Sequence, residues 1–139
     1  MSKTEVESDG IYECILYGEL YTKYNNPFID KIYSKTNVKG KILSNYGDVL
    51  IPATTTSDED GIAIAKTLCK KDVVIGNDIN IIRIHGQDKI NPQYLSLVLN
   101  YTLKNELAKY ARGANILHLS NNDIKKIKIP LPPLEEQKK

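Results

Sequence analysis

The chain has little of what most catalytic, zinc-binding or membrane proteins carry. Its two cysteines, Cys14 and Cys69, stand far apart, with no C-x-x-C. Isolated thiols of this kind suit reduced, partly buried side chains, not a disulfide frame or a zinc site. The two histidines, His85 and His118, are distant from one another and neither pairs with a cysteine, so the several N or S ligands that zinc needs are missing. Long apolar runs are lacking as well. Ile79–Ile84 and Tyr94–Leu99 are short and interrupted, and no segment is expected to span a bilayer. The N-terminal residues are polar, without the apolar core of a signal peptide, which points to a cytoplasmic address. There is no G-x-x-x-x-G-K-[ST], no G-x-G-x-x-G and no G-x-S-x-G. Phosphate-loop, dinucleotide and nucleophile-elbow chemistries therefore have no support.

What remains is a globular composition on 139 residues, with 41% hydrophobic and 26% charged residues, enough for one domain. The 19 basic and 17 acidic residues leave a net charge of only +2. Their distribution is uneven. Lys23, Lys31, Lys35, Lys39 and Lys41 face one acid, Asp30, and Lys125, Lys126 and Lys128 face Asp123, while acids gather at Asp58-Glu59-Asp60. Two lysine-rich stretches on a near-neutral body either form one positive face or are separate solvated surfaces. The acidic triplet lacks the further oxygen ligands of a calcium loop and reads as an exposed loop.

Residues 1–10 are expected to be a loose end, followed by a domain over 11–133. Strands are expected at Ile11–Tyr17, Lys31–Ser34, Val49–Ile51 (stopped by Pro52), Ile62–Leu68, Val73–Ile75 and Ile79–Ile84. Gly18–Phe28 reads as turns and Thr54–Gly61 as a polar loop. Asn91-Pro92 then opens a helix, with Asn as cap and Pro at the first position. Leu95, Leu99, Leu103 and Leu107 give it an apolar stripe, in one helix or in two with a break near Thr102. Gly113 stands at a helix C-terminus, Ser120–Asp123 resembles a capping box, Lys126–Ile129 alternates like a strand, and Leu134–Lys139 opens another helix. Strands and helices do not alternate, so the expected class is α+β: a strand-rich mixed sheet domain with one substantial helix.

Asn26-Pro27-Phe28 is close to the N-P-P-[YF] signature of amino-methyltransferases, but the second proline is absent and no glycine-rich loop accompanies it. It reads as a turn. Lysine interleaved with aromatic and amide side chains in Tyr21–Asn26 suits DNA better than a reaction. Lysines neutralise phosphates, while Asn, Thr and Tyr exchange hydrogen bonds with base edges.

Several segments in order resemble one family. Tyr17-Gly-Glu-Leu-Tyr21 is similar to Y-G-D-[IL]-Y, and Gly47-Asp-Val-Leu-Ile51 with its Thr-rich sequel is similar to G-D-[IV]-L-[IL]. Gly76–Asn80, Asn91–Leu95 and Arg112–Ser120 follow, and Lys128–Gln137 closes on P-L-P-P-L-E-E-Q. The chain from about Ile11 onward resembles the target-recognition domain of type I restriction–modification specificity (S) subunits.

The resemblance implies a domain with no catalytic centre, no cofactor and no metal of its own, which reads one half of a split double-stranded DNA site. It implies methyltransferase (M) and restriction (R) subunits as partners, with methyl transfer from S-adenosylmethionine done by the M subunits. It covers one recognition domain where such subunits have two, and only the start of the spacer helix, over 134–139. The expected DNA-reading residues are Lys23, Tyr24, Asn25 and Asn26, then Thr54, Thr55, Thr56 and Ser57, then Arg112, Asn115 and His118. Lys23 and Arg112 would meet phosphate, or Arg112 guanine; Asn25 or Asn115 would pair with adenine. The alternative is a protein–protein module that docks onto a methyltransferase subunit or competes for it, with tyrosines as anchors. An enzyme is the third reading.

Overall fold

A computed structural model describes residues 10–24, 26–38, 42–55, 64–84, 91–103, 117–118 and 132–137. Of Thr54, Thr55, Thr102, Leu117, His118, Leu134 and Glu135 it describes the backbone alone. The expected helix beyond Leu103, Gly113, Ser120–Asp123 and the strand at Lys126–Ile129 lie outside these residues.

The first sheet is built on β1 (Tyr12–Ile15), which pairs antiparallel with β3 (Ser34–Thr36) and parallel with β7 (Val74–Ile75). The second has the order β2 (Phe28–Ile29), β6 (Lys66–Leu68), β4 (Asp48–Pro52), β8 (Ile79–Ile82). Its β2–β6 pair is parallel and the others are antiparallel. Both are mixed sheets. A third ladder joins β5 (Thr54–Thr55) to β9 (Leu117–His118), antiparallel. Ile15, Leu20, Tyr24, Ile29, Ile32, Leu50, Leu68, Val73 and Ile75 form the core between these elements, with Ile79 and Ile81 against it. The protein is an α+β domain, and β4 is buried along its whole length.

Three local readings are corrected. Gly18–Phe28 contains a short helix, α1 (Glu19–Thr22), as well as turns. The Glu19 carboxylate makes it: Leu16 N–H donates to Oε1 at 2.9 Å, Ser34 Oγ donates to Oε2, and Lys23 Nζ lies 3.4 Å away. The strand expected at Lys31–Ser34 begins at Ser34, because Ile32 enters the core while Ser34–Thr36 pair with β1. The Thr54–Gly61 loop starts as strand, since Thr54 and Thr55 find partners in β9.

The helix begins where Asn-Pro predicts. In α2 (Pro92–Leu97), Asn91 Oδ1 accepts the N–H groups of Gln93 at 2.8 Å and Tyr94 at 3.3 Å. It runs into a widened π-helical turn over Val98–Thr102. Asn100 sits in that turn, donating to the Ala65 carbonyl at 2.6 Å and accepting its N–H at 2.8 Å. One side chain thus supplies the ladder partner that the chain entering β6 would lack, which fits the use of π turns to present a particular residue. Thr67 Oγ1 lies 2.9 Å from the Pro92 carbonyl and 2.7 Å from Ser96 Oγ, tying α2 to β6. The helix expected from Leu134 is present as α3 (Leu134–Gln137). Among the described residues no helix is long and apolar enough to cross a membrane.

Candidate nucleic-acid interface

A cleft of about 610 Å³ opens where α1, β2 and the turns beside β4 and β6 meet. Lys23, Asn26, Lys31, Tyr33, Tyr46 and Gln93 supply its polar lining, with Asp30 the acid among them and Phe28, Ile29 and Cys69 adding apolar surface. Each is carried by the fold just described. Lys23 caps α1 and leans on Glu19. Asn26 Oδ1 accepts the Phe28 N–H at 3.1 Å, the local bond that asparagine uses to shape a turn. The bond uses one of the amide oxygen's two acceptor positions and sets the orientation of the NH2, which carries the donors. Gln93 extends from the first turn of α2, its Nε2 3.7 Å from Cys69 Sγ.

The two exposed aromatic walls are Tyr33 and Tyr46, 56% and 62% exposed. Tyr33 is held from behind. Its N–H donates to Tyr24 Oη at 3.2 Å, and the two rings pack with centroids 5.5 Å apart, tilted by 39°. Lys31 Nζ lies 5.7 Å from the Tyr33 ring centroid, within cation–π range. Tyr24 itself is only 6% exposed and belongs to the core. Burial pushes its hydroxyl up to about 12. Its place is that of a support for Tyr33, with one edge on the cleft.

Of the residues expected to read DNA, the fold gathers Lys23, Tyr24 and Asn26 in this cleft. It gathers Thr54, Thr55 and His118 in a second place, where Thr54 is the direct register partner of His118. Asn25, Thr56, Ser57, Arg112 and Asn115 lie outside the described residues. Lys31, Tyr33, Tyr46 and Gln93 were not among the expected residues. Lys31 and Tyr33 fall within the lysine-rich stretch that the sequence displays. Tyr46 and Gln93 reach the cleft only through tertiary packing, and no sequence signal marks them. Among the described residues no three His, Cys, Asp or Glu side chains gather to hold a metal ion.

Comparison with known proteins agrees with this architecture. Residues 3–139 match the model of the type I restriction modification DNA specificity domain, and the chain belongs to that family. Specificity subunits of type I systems are non-catalytic. Over 118 residues the chain is 29% identical to a curated protein of Methanocaldococcus jannaschii named as the specificity subunit of the type I restriction enzyme MjaX. That match covers 79% of this chain and 27% of the relative. Among solved structures, one concerned with complex assembly and conformational transition of a type I restriction–modification system superposes with TM-score 0.70 at 20% identity. The HsdS subunit of Thermoanaerobacter tengcongensis gives 0.67 at 19%. Each superposition covers 99% of this chain, but only 31% and 30% of the other. The chain therefore spans less than a third of the length of these relatives.

Proposed function

We propose that this domain reads one half of a split site in double-stranded DNA, in the cytoplasm, as the specificity component of a type I restriction–modification system. It performs no chemistry. Methyltransferase and restriction subunits would act on the DNA it selects, the former with S-adenosylmethionine. The observation that carries the reading is the cleft, in which two lysines, two exposed tyrosines and two carboxamides converge on a domain of the DNA-specificity family. Lysines there suit phosphates, and carboxamides suit base edges. Thr54, Thr55 and His118, brought together in the β5–β9 ladder, are a second reading edge. Arg112, Asn115, Asn25, Thr56 and Ser57 complete the proposed set.

The test is selection of bound duplexes from a random pool, using the chain fused to a dimerising helix so that two weak half-sites add by avidity. A short enriched motif is expected, and Arg112→Ala or Asn115→Ala should relax it at one position, at about 1–3 kcal/mol per lost base contact. A pool left unenriched overturns the proposal. Binding to a methyltransferase subunit without any salt-sensitive DNA binding would favour the protein-docking alternative.

A further inference from the structure

The cleft is too small to enclose a duplex, which can only lie across its mouth, so its interior is left for something smaller. Its volume, about 610 Å³, falls in the range of small-ligand sites, and its aromatic walls are side-chain faces on short connections, not a long track. Tyr33 is braced in position by Tyr24 behind it and by Lys31 over its ring. A tyrosine that is more than half exposed yet packed by the Tyr24 ring is an ordered side chain, and a base stacking on it would displace the Lys31 ammonium from over the ring. Tyr46 gives a second aromatic surface on the same cleft, and Lys23 and Lys31 place two ammonium groups at its lining against the Asp30 carboxylate, with Lys23 also 3.4 Å from Glu19. Flat π surface beside cationic charge is the combination that takes a nucleotide whose base has left the stack, since every base has a face to stack and every nucleotide a phosphate to neutralise. The carboxamides of Asn26 and Gln93 add hydrogen-bonding groups for a base edge.

We propose that this cleft binds a single unstacked nucleotide of the DNA, its base against Tyr33 or Tyr46 and its phosphate at Lys23 and Lys31. Chemistry on a base requires that the base leave the duplex, and the cost is lower if some surface receives a displaced nucleotide. The inference rests on the reading of this cleft as a DNA site, but it requires no particular base sequence.

The experiment measures binding of the full chain, by fluorescence anisotropy, to a matched duplex, to the same duplex with one mismatched pair, to the single strand, and to free deoxyadenosine monophosphate. The mismatched duplex and the single strand are expected to bind more tightly than the matched duplex. Either Tyr33→Ala or Tyr46→Ala, whichever ring stacks the base, should remove that advantage, about tenfold for loss of one stacked base, while the matching phenylalanine variant keeps it. Thermal melting of each variant confirms the fold, and the more exposed Tyr46 serves should Tyr33→Ala unfold. Equal binding of matched and mismatched duplexes overturns the proposal, as does an advantage that survives both alanine variants. Tight, tyrosine-dependent binding of the free nucleotide with no preference among the DNAs assigns the cleft to a small molecule and also overturns it. A random pool without an enriched motif would remove half-site reading and leave this result standing, so the two fail separately.

Discussion

Gln137 Oε1 accepts the backbone N–H of Asn91 at 2.7 Å, across 46 positions of sequence. Its Nε2 donates to the Pro132 carbonyl at 2.8 Å, and the side chain is only 6% exposed. The last residue of P-L-P-P-L-E-E-Q is thereby bound to the cap residue of α2. Asn91 satisfies the first orphan donors of the helix with its side chain and loses its own N–H to Gln137. Two sequence motifs that resemble the same family are two halves of one joint.

Gln137→Ala leaves the Asn91 N–H and the Pro132 carbonyl without this partner, and each unmade buried bond costs on the order of 1–3 kcal/mol. A lower melting temperature is expected, with faster amide exchange at Asn91. Gln137→Glu retains an acceptor for Asn91 and loses the donor to Pro132, so its loss should be the smaller one. Equal melting of Gln137→Ala and the parent would show that α3 is not docked.

Asp48, at 1% exposure, is held by Arg83 through both oxygens, Nε to Oδ1 at 3.0 Å and Nη2 to Oδ2 at 2.8 Å. Asn45 N–H donates to the same carboxylate at 2.8 Å, and Arg83 Nη2 also reaches the Leu43 carbonyl at 3.1 Å. Arg83 fastens the end of β8 to the entry of β4. Its side chain is about a third exposed, so solvent weakens the pair relative to a fully buried one. Asp48→Ala is expected to cost about 2–3 kcal/mol by urea denaturation. Arg83→Lys, which cannot reproduce the fork, should cost about 1 kcal/mol. A lysine variant as stable as the parent would contradict the bidentate account.

Two buried acids make the fold sensitive to alkali. Burial first, and then the Glu19 charge, raises the Cys14 thiol from 9.0 to about 11. Burial raises the Tyr24 hydroxyl from 10.0 to about 12, with the Tyr33 N–H bond acting in the opposite sense. Above the unfolded values the unfolded chain releases protons that the folded chain keeps. Stability is therefore full below pH 9 and is lost as pH rises through 11 for Cys14, and between pH 10 and 12 for Tyr24. Each group contributes at most about 2–3 kcal/mol. Urea midpoints measured across this range should fall, and Cys14→Ala should flatten the earlier part. A Cys14→Ala profile that overlays the parent would refute that assignment.

The strands β1, β4, β7 and β8 were legible because β-branched residues cluster in them, and α2 because Asn-Pro fixes its start. Other features depend on partners far along the chain. Glu19 folds α1 by binding Ser34, β5 exists because β9 lies beside it, and Asn100 finds its use on Ala65. None of these partners is encoded in a local window. The same holds for the cleft. Lys23 and Asn26 stand in a stretch whose chemistry is visible in sequence, whereas Tyr46 and Gln93 are brought to it by the turn before β4 and by the docking of α2 through Thr67 and Ser96. Tyr24, expected on DNA for its place among lysines and amides, lies mostly in the core, because a ring in a short connection packs wherever a neighbour such as Tyr33 closes over it.

The lysines of the cleft and the amides proposed for base reading should separate in their salt dependence. A lysine that neutralises one phosphate contributes about 0.9 to the slope of log affinity against log salt concentration, whatever the sequence. Lys31→Ala, compared with Tyr33→Ala to separate loss of the Lys31 ring contact from loss of charge, is the probe of choice, because Lys23 is engaged with Glu19 at 3.4 Å and its removal perturbs α1. Lys31→Ala should therefore weaken matched and unrelated duplexes alike and lower the slope by about one unit. Asn115→Ala should leave the slope unchanged and weaken the selected motif only. Affinities measured over a series of salt concentrations distinguish the two. A Lys31→Ala protein with the parent's slope would remove the cleft from the phosphate path, and with it the main electrostatic support for DNA binding there.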